Sequence, residues 1–420
     1  MKLFFRRIHL YLGLTSGLFL VMVCLTGSIL VFEKELEQAW HSERYFVEAA
    51  ATPRLSLAEI TGAVRAYKPK AKITGVKVYA DPTRSVEVNL AGGPGRPGER
   101  AGGPQGEGKG AGMGAQRGAA RAEGRNQEGR PGPQGGKGGR PGGGGGPVVF
   151  MNPYTAAVLG ETNPRESFFH FVEQIHRGLV AGRVGKLVMG INSIIFLFIL
   201  GTGLVLWWPA TRRMFSQRLQ IRWGSSWKRL THDFHIVLGF YASLFLFIMA
   251  LTGVGMSFDW VTKTINTLTH SPQQRPEPPT SAAAPAAPFG ADAALAFARQ
   301  QAPDATTYTV QLPTEPTGSI RVALLRHGAP TENATDEVYL DQYSGQVLRQ
   351  QTYAQRPLGQ RIRGLFKPVH TGAIFGWPTK VLALIIVLLG ATFPITGTIM
   401  WLNRVKKGKK KQQKLAVALQ

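Results

Sequence analysis

Four apolar runs constrain this chain more than any other feature: Leu10–Phe32, Leu187–Trp208, Ile236–Phe258 and Val381–Leu402. At about 1.5 Å rise per residue, each is long enough to cross a hydrocarbon layer of about 30 Å. Backbone groups find no water at that depth, so the runs are predicted as helices. The expected fold is a membrane all-α bundle of four transmembrane helices. The first run follows Lys2, Arg6 and Arg7 like a secretion signal. Its apolar stretch nevertheless far exceeds the roughly 7–15 residues of a signal core.

The formal net charge of +24 would suggest a nucleic-acid partner in a water-soluble protein, so its placement matters. Much of it flanks the runs in three short segments. The first holds Lys2, Arg6 and Arg7, the second runs from Arg212 to Arg229, and the third is the lysine-rich end from Arg404 to Lys414. The positive-inside rule assigns all three, with both termini, to the cytoplasmic side of a bacterial inner membrane. The predicted order begins with span 1 in residues 1–32, an outer module over 33–186 and span 2 over 187–208. A basic cytoplasmic loop (209–235), span 3 (236–258), a second outer module (259–380), span 4 (381–402) and a basic tail (403–420) complete it. The outer segments face the periplasm in a Gram-negative host, and the lipid bilayer is the first implied partner.

The spans repeat. "IHLYLGLTSGLFLVMVCLTG" overlays "FHIVLGFYASLFLFIMALTG" without a gap, setting His9 on His235, Gly13 on Gly239 and Thr26-Gly27 on Thr252-Gly253. The second and fourth spans match at another single offset, pairing His176 with His370, Gly182 with Gly376, Thr202-Gly203 with Thr396-Gly397 and Trp207 with Trp401. A helix–outer loop–helix unit is thus used twice in the same direction, as a parallel repeat. The third span cannot be a signal peptide, which argues that its twin is retained as well.

Each outer loop reads as a small α+β module. "SLAEITGAVRAYKP" has helical periodicity and is followed by strand pairs in "ITGVKVYADPTRSVEVNL" and "PVVFMNPYTAAVLGE". "ADAALAFARQQAP", "TYTVQLP", "SIRVALL" and "DEVYLDQYSGQVLRQ" follow the same plan in the second loop. The Gly-rich stretch 92–147 has no aromatic residue and too few aliphatic ones to bury, and reads as a disordered insertion. Without stacking aromatics, and on the outer side, it is not expected to bind nucleic acid.

Nine histidines remain, with a single cysteine, Cys24, inside the first span. No disulfide or thiolate cluster can form within the chain, so imidazole must carry any metal chemistry. The repeat selects His9 with His235 at the inner side and His176 with His370 at the outer side. Two imidazoles facing each other at one membrane level are what a six-coordinate haem b needs, which implies two haem b groups held by these four residues. Small residues four, seven and eight positions past His9 (Gly13, Ser16, Gly17) and past His235 (Gly239, Ala242, Ser243) would leave a groove for a porphyrin. Such stripes also serve close helix packing with no cofactor. His232, three residues before His235, is an alternative inner ligand. His41, His170, His270 and His327 read as surface or packing residues, and Arg363 and Lys367 as basic groups that could meet an acidic or chelated substrate. Pro378 is expected at the first position of the fourth span, leaving "HTGAIFGW" as a separate turn or short helix.

Taken together, the duplicated H-x-x-x-G…L-T-G spans, the "IHRGLVAG" and "VHTGAIFGWPTK" segments, the T-G…W exits and "LDQYSGQVL" resemble the PepSY-associated transmembrane, iron-regulated membrane proteins. The resemblance runs through nearly the whole chain, apart from the Gly-rich insertion. It implies PepSY-like outer modules, and a di-haem siderophore reductase that reduces a ferric siderophore in the periplasm for iron uptake. It also implies haem ligation by His9, His235, His176 and His370. No G-x-G-x-x-G follows a strand, so the electron donor is expected to be separate, a quinol or another reductase. Two other classes compete: a non-enzymatic PepSY protein that restrains a peptidase or senses the envelope, and a permease. Against the permease, the spans lack acidic residues.

Overall fold

The computed structural model describes residues 1–92, 146–282 and 287–418, so the Gly-rich insertion lies, apart from its ends, outside the described residues. The chain starts with α1 (Lys2–Val31), and the short helices α2 (Glu33–Trp40) and α3 (Ser42–Tyr45) lead to α4 (Leu57–Tyr67). Strands β1 (Ile73–Tyr79), β2 (Val86–Leu90), β3 (Val148–Met151) and β4 (Val158–Thr162) follow. Next, α5 (Phe168–Gly178) turns into α6 (Gly182–Trp207), then come α7 (Arg212–Arg218) and α8 (Trp227–Asp233). A π-helical turn, Phe234–Leu238, joins α8 to α9 (Gly239–Ser257). The order then recurs: α10 (Asp259–Leu268), α11 (Ala291–Gln301), β5 (Ala305–Gln311), β6 (Ile320–Arg326), β7 (Asp336–Leu340), β8 (Val347–Gln351), α12 (Leu358–His370) and α13 (Trp377–Ala418).

Among the described residues, four helical stretches are long and apolar enough to cross a membrane: Lys2–Val31, Gly182–Trp207, Trp227–Ser257 and Trp377–Gly408. No more than a third of each apolar window is buried in the protein, and Leu18, Phe198, Leu244 and Ile385 point outward. That much continuous apolar surface belongs in lipid. Exposed tryptophans mark the ends, Trp208 and Trp227 at one and Trp260 and Trp377 at the other, as in the aromatic belts of membrane proteins. In the bundle, α1 and α9 each pack against both α6 and α13, so α1 faces α9 across one diagonal. Spans 2, 3 and 4 begin earlier than their hydropathy suggests, because a helix nucleated in the apolar run extends into its flanks by gaining one hydrogen bond per residue fixed. For the same reason the expected basic tail is helical to Ala418.

The two predicted α+β modules are not separate. Their strands form one eight-stranded antiparallel sheet in the order β4-β3-β2-β1-β5-β6-β7-β8. At its centre β1 pairs with β5, with Val76 opposite Val310 and Val78 opposite Tyr308. Joining the modules this way removes two open strand edges, whose unpaired amides and carbonyls are a liability. Both α4 and α11 pack on one face, sharing a core of Ile60, Val64, Val76, Val88, Val310 and Val322. The Asp292 carboxylate of α11 accepts from the free amides of Leu57 (2.5 Å) and Ala58 (2.9 Å) at the start of α4, tying the halves together.

Asn89 pairs with Val148, and the Leu90 amide donates to the Pro147 carbonyl at 2.9 Å. The Gly-rich insertion therefore leaves and rejoins at the tip of the β2–β3 hairpin, without interrupting the ladder. On the face away from α4 and α11, the buried Glu337 of β7 takes hydrogen bonds from Arg275 (2.5 Å), Arg321 (2.7 Å) and Arg356 (3.0 Å). Helix α2 bridges the bundle and the sheet by ion pairs: its Glu35 bonds Lys380 at the start of α13 at 2.6 Å, and its Lys34 meets Glu332 of the β6–β7 loop.

Candidate functional site

Two pairs of imidazoles face each other, one toward each end of the bundle. His9 and His235 have ring centres 6.3 Å apart with planes at 87°. His176 and His370 have ring centres 6.0 Å apart with planes at 75°. The inner pair comes from α1 and from the π-helical turn ahead of α9, across the bundle diagonal. Its members differ locally: His9 lies in regular α-helix, whereas the π-turn shifts the register at His235, a device common at functional sites. The outer pair comes from the last turns of α5 and α12, which are not spans.

Sharp turns keep those last turns against the bundle. Between α5 and α6, Leu179 (φ 55°), Val180 (φ 56°) and Gly182 (φ 55°) are all left-handed. Between α12 and α13 the same reversal uses Gly372 and Gly376, both at φ 72°, around a 3₁₀ turn, Ala373–Phe375. Val180 is a β-branched residue in a conformation that glycine favours, a local cost of about 1–2 kcal/mol, and its amide donates to the Gln174 carbonyl at 3.2 Å. The separate turn expected after His370 is present. Pro378 occupies the second helical position rather than the first, where its missing amide still costs nothing.

All four imidazoles are held in the same way. His9 Nδ1 donates to the Ile199 carbonyl (3.1 Å) and Thr202 Oγ1 (3.0 Å) on α6. His176 Nδ1 donates to the Val23 carbonyl (3.1 Å) and Thr26 Oγ1 (3.0 Å) on α1. His370 Nδ1 donates to the Met249 carbonyl (2.8 Å) and Thr252 Oγ1 (3.1 Å) on α9. His235 Nδ1 donates to Thr396 Oγ1 (2.8 Å) on α13, with the Phe393 backbone as its second partner. In each case the carbonyl belongs to the residue three before the threonine, and a glycine follows the threonine. A methyl group on Gly27 would stand 3.1 Å from His176 Cε1, and one on Gly203 would stand 3.2 Å from His9 Cε1. On Gly253 and Gly397 the distances to His370 and His235 would be 3.5 and 3.4 Å. The glycines thus give the ring edges room to lie against the helix.

This clasp settles the tautomer. A backbone carbonyl can only accept, so Nδ1 carries the proton and Nε2 keeps its lone pair. Burial, reinforced by the facing His370, holds the His176 imidazole down at about 4, and burial lowers His370 as well, so the outer pair is neutral at pH 7. Neutral imidazole with a free Nε2 is the form that binds metal.

The spacing fits a six-coordinate iron. With metal–imidazole bonds of about 2 Å, as for zinc, and roughly 1.2 Å from ring centre to nitrogen, two trans imidazoles lie roughly 6.4 Å apart. Among the described residues no group of three or more His, Cys, Asp or Glu side chains is arranged to hold a metal ion. Two imidazoles per site suit a metal that brings its own equatorial ligands, and haem does. Beside the inner pair, a methyl group on Gly13 would meet nothing within 4 Å, and one on Gly239 would touch only Phe393 at 3.9 Å. The groove expected from small residues is therefore confined to the glycines four positions past each histidine. Farther along, Ser16, Ala242 and Ser243 are buried and Gly17 lies against Pro394, so those positions serve helix packing.

The other histidines stand apart. His232 pairs with Asp233 at 3.3 Å and its side chain is 47% exposed, so it does not join the inner pair. His170 bonds Gln174 at 2.8 Å, His41 lies 3.5 Å from Glu43, and His270 occupies a left-handed turn at φ 51°. His327 uses its backbone amide to bond Asp304. Lys367 is exposed, and its charge acts on Glu33 and Glu173. The role of the threonine–glycine dipeptides is what sequence reasoning missed. They stand out only as markers of the repeat, although their recurrence in all four spans, once per paired histidine, is the available signal.

The family model for the PepSY-associated TM region matches residues 6–404. No curated protein matches the chain.

Proposed function

Because the chain belongs to the PepSY-associated TM family, we propose that it is a di-haem b electron-transfer protein of the bacterial inner membrane that reduces a ferric siderophore on the periplasmic side. The observation that carries this reading is the pair of clasped, facing imidazoles at each end of the bundle, with ring centres 6.3 and 6.0 Å apart, close enough for the two members of each pair to share one metal. His9 and His235 would hold the inner haem, and His176 and His370 the outer one. Each haem, when bound, would supply a one-electron iron couple. The recurring element order and the mirrored halves of the sheet support a duplicated unit. Basic residues at the Arg212–Arg229 end of the bundle support a cytoplasmic assignment for that end and both termini.

The chain's own residues explain why transfer would cross the membrane. Thr26 lies seventeen positions after His9, and Thr252 seventeen positions after His235. That span is about 25 Å of helix rise, so the two sites lie near opposite faces. A separate quinol or reductase would deliver electrons at the inner pair. A haem held by the outer pair would supply one electron to a ferric chelate bound on that side, and the ferrous product, more weakly held, would release its metal.

The test uses full-length protein purified in detergent from haem-replete cells. A reduced-minus-oxidised spectrum should show two low-spin haems per chain. Anaerobic addition of a ferric hydroxamate siderophore should then reoxidise the reduced protein, with ferrous iron trapped by a chelator in one-to-one proportion to the electrons lost. A haem-replete preparation without a Soret band would end the electron-transfer reading and leave the peptidase-restraining or envelope-sensing role in its place.

A further inference from the structure

We propose that Thr26, Thr202, Thr252 and Thr396 are positioning residues that set the potentials of the two haems, each tuning the pair at its own membrane level, with the threonine and the ligand it receives carried by different helices. The inference rests on the di-haem reading and goes beyond it. α1 carries His9 for the inner pair, yet its threonine, Thr26, receives His176 of the outer pair. The third span repeats this: its π-turn carries His235 for the inner pair, and Thr252 on α9 receives His370 of the outer pair. The inner histidines are received by the other diagonal, Thr202 on α6 and Thr396 on α13. Each threonine therefore serves the site at its own membrane level, and on α1 and α9 that is the opposite site from the ligand on the same helix.

The chemistry follows from where each hydroxyl proton goes. Thr26 donates to the Met22 or Val23 carbonyl, Thr202 to Phe198 or Ile199, Thr252 to Ile248 or Met249, and Thr396 to Thr392 or Phe393. With its proton committed to its own helix, each oxygen is left as an acceptor toward the imidazole. An imidazole that donates Nδ1–H to an acceptor becomes more basic at Nε2, and so stabilises the ferric state of the iron it binds. The carbonyl half of the clasp is backbone and survives substitution. The hydroxyl is the part that sequence can adjust.

Valine is nearly isosteric with threonine and removes only the acceptor. Spectroelectrochemical titration of the full-length, haem-loaded protein separates the two waves, assigned from His370→Ala protein, in which the inner wave alone remains. Thr26→Val and Thr252→Val should each move the outer wave to a more positive potential and leave the inner wave in place. Thr202→Val and Thr396→Val should do the reverse. Serine at the same positions should restore the wild-type potentials. A shift of the inner wave by Thr26→Val, or no shift in any valine variant that still holds two low-spin haems, overturns the proposal while leaving the di-haem reading intact. If a valine variant releases haem, loss from the outer site by Thr26→Val supports the crossed arrangement, and loss from the inner site refutes it. Wild-type protein without haem would instead sink the reading beneath it.

Discussion

His370→Ala protein, purified at full length from haem-replete cells, should keep half of the wild-type low-spin absorbance, all of it from the inner site. His176→Ala should give the same spectrum. His9→Ala and His235→Ala should each retain the outer signal alone. Each site provides two imidazoles, clasped and facing, and removing one would leave a bound haem with a single protein ligand. The sites are far enough apart for losses to be independent, about 25 Å along the helices. His232→Ala is the sharpest control, since that residue is three positions from His235 yet is paired with Asp233 on the exposed side. It should leave both signals whole. A well-folded single variant that loses both haems, or an inner signal that follows His232, would contradict the pairing.

Loss of the Glu337 carboxylate should have the largest effect on stability. Its side chain is 2% exposed, and Arg321 and Arg356, each 13% exposed, share it with Arg275. Burial alone would push the carboxyl up, but hydrogen bonding and charge from Arg321, with Arg275 and Arg356 behind it, hold it at about 2. Against an ordinary glutamate value of about 4.3, that depression corresponds to about 3 kcal/mol of folding stability. A depressed folded-state value means the contribution is complete above about pH 4.3 and fades as pH falls toward 2. Glu337→Gln should therefore lower stability at pH 7 by about 3 kcal/mol, because the arginines left behind are buried without a counter-charge. Chemical unfolding of the detergent-solubilised protein, followed by near-UV circular dichroism at pH 7 and again near pH 3, measures this. The difference between wild type and variant should shrink at the lower pH. An undiminished difference at pH 3, or no difference at pH 7, would show that the arginines do not depend on that carboxylate.

Much of this organisation was legible in the sequence because the signals are periodic or repeated. Span length is set by bilayer thickness, so the four runs announce four helices before any contact is known. An ungapped repeat marks equivalent residues, which is how His9, His235, His176 and His370 stand out from five other histidines. Strand alternation in both outer segments likewise predicted four strands in each. What alternation cannot disclose is which strand an edge will meet. Val76 and Val310 read the same in a separate module or at a seam, and only the fold shows that β1 and β5 join two modules into one sheet.

The site divides along the same line. Sequence by itself determined which residue types recur and how they are spaced around the four spans, because hydropathy and repetition are properties of the chain. It also supplied the threonine–glycine dipeptides without their meaning. Only the tertiary structure decided that α1 lies diagonally across from α9, that a π-turn aims His235 at His9, and that each imidazole donates its Nδ1 proton to a carbonyl and hydroxyl on another helix. These depend on helix rotation and depth, which are set by packing between segments 118 to 193 residues apart and leave no local trace in the order of residues.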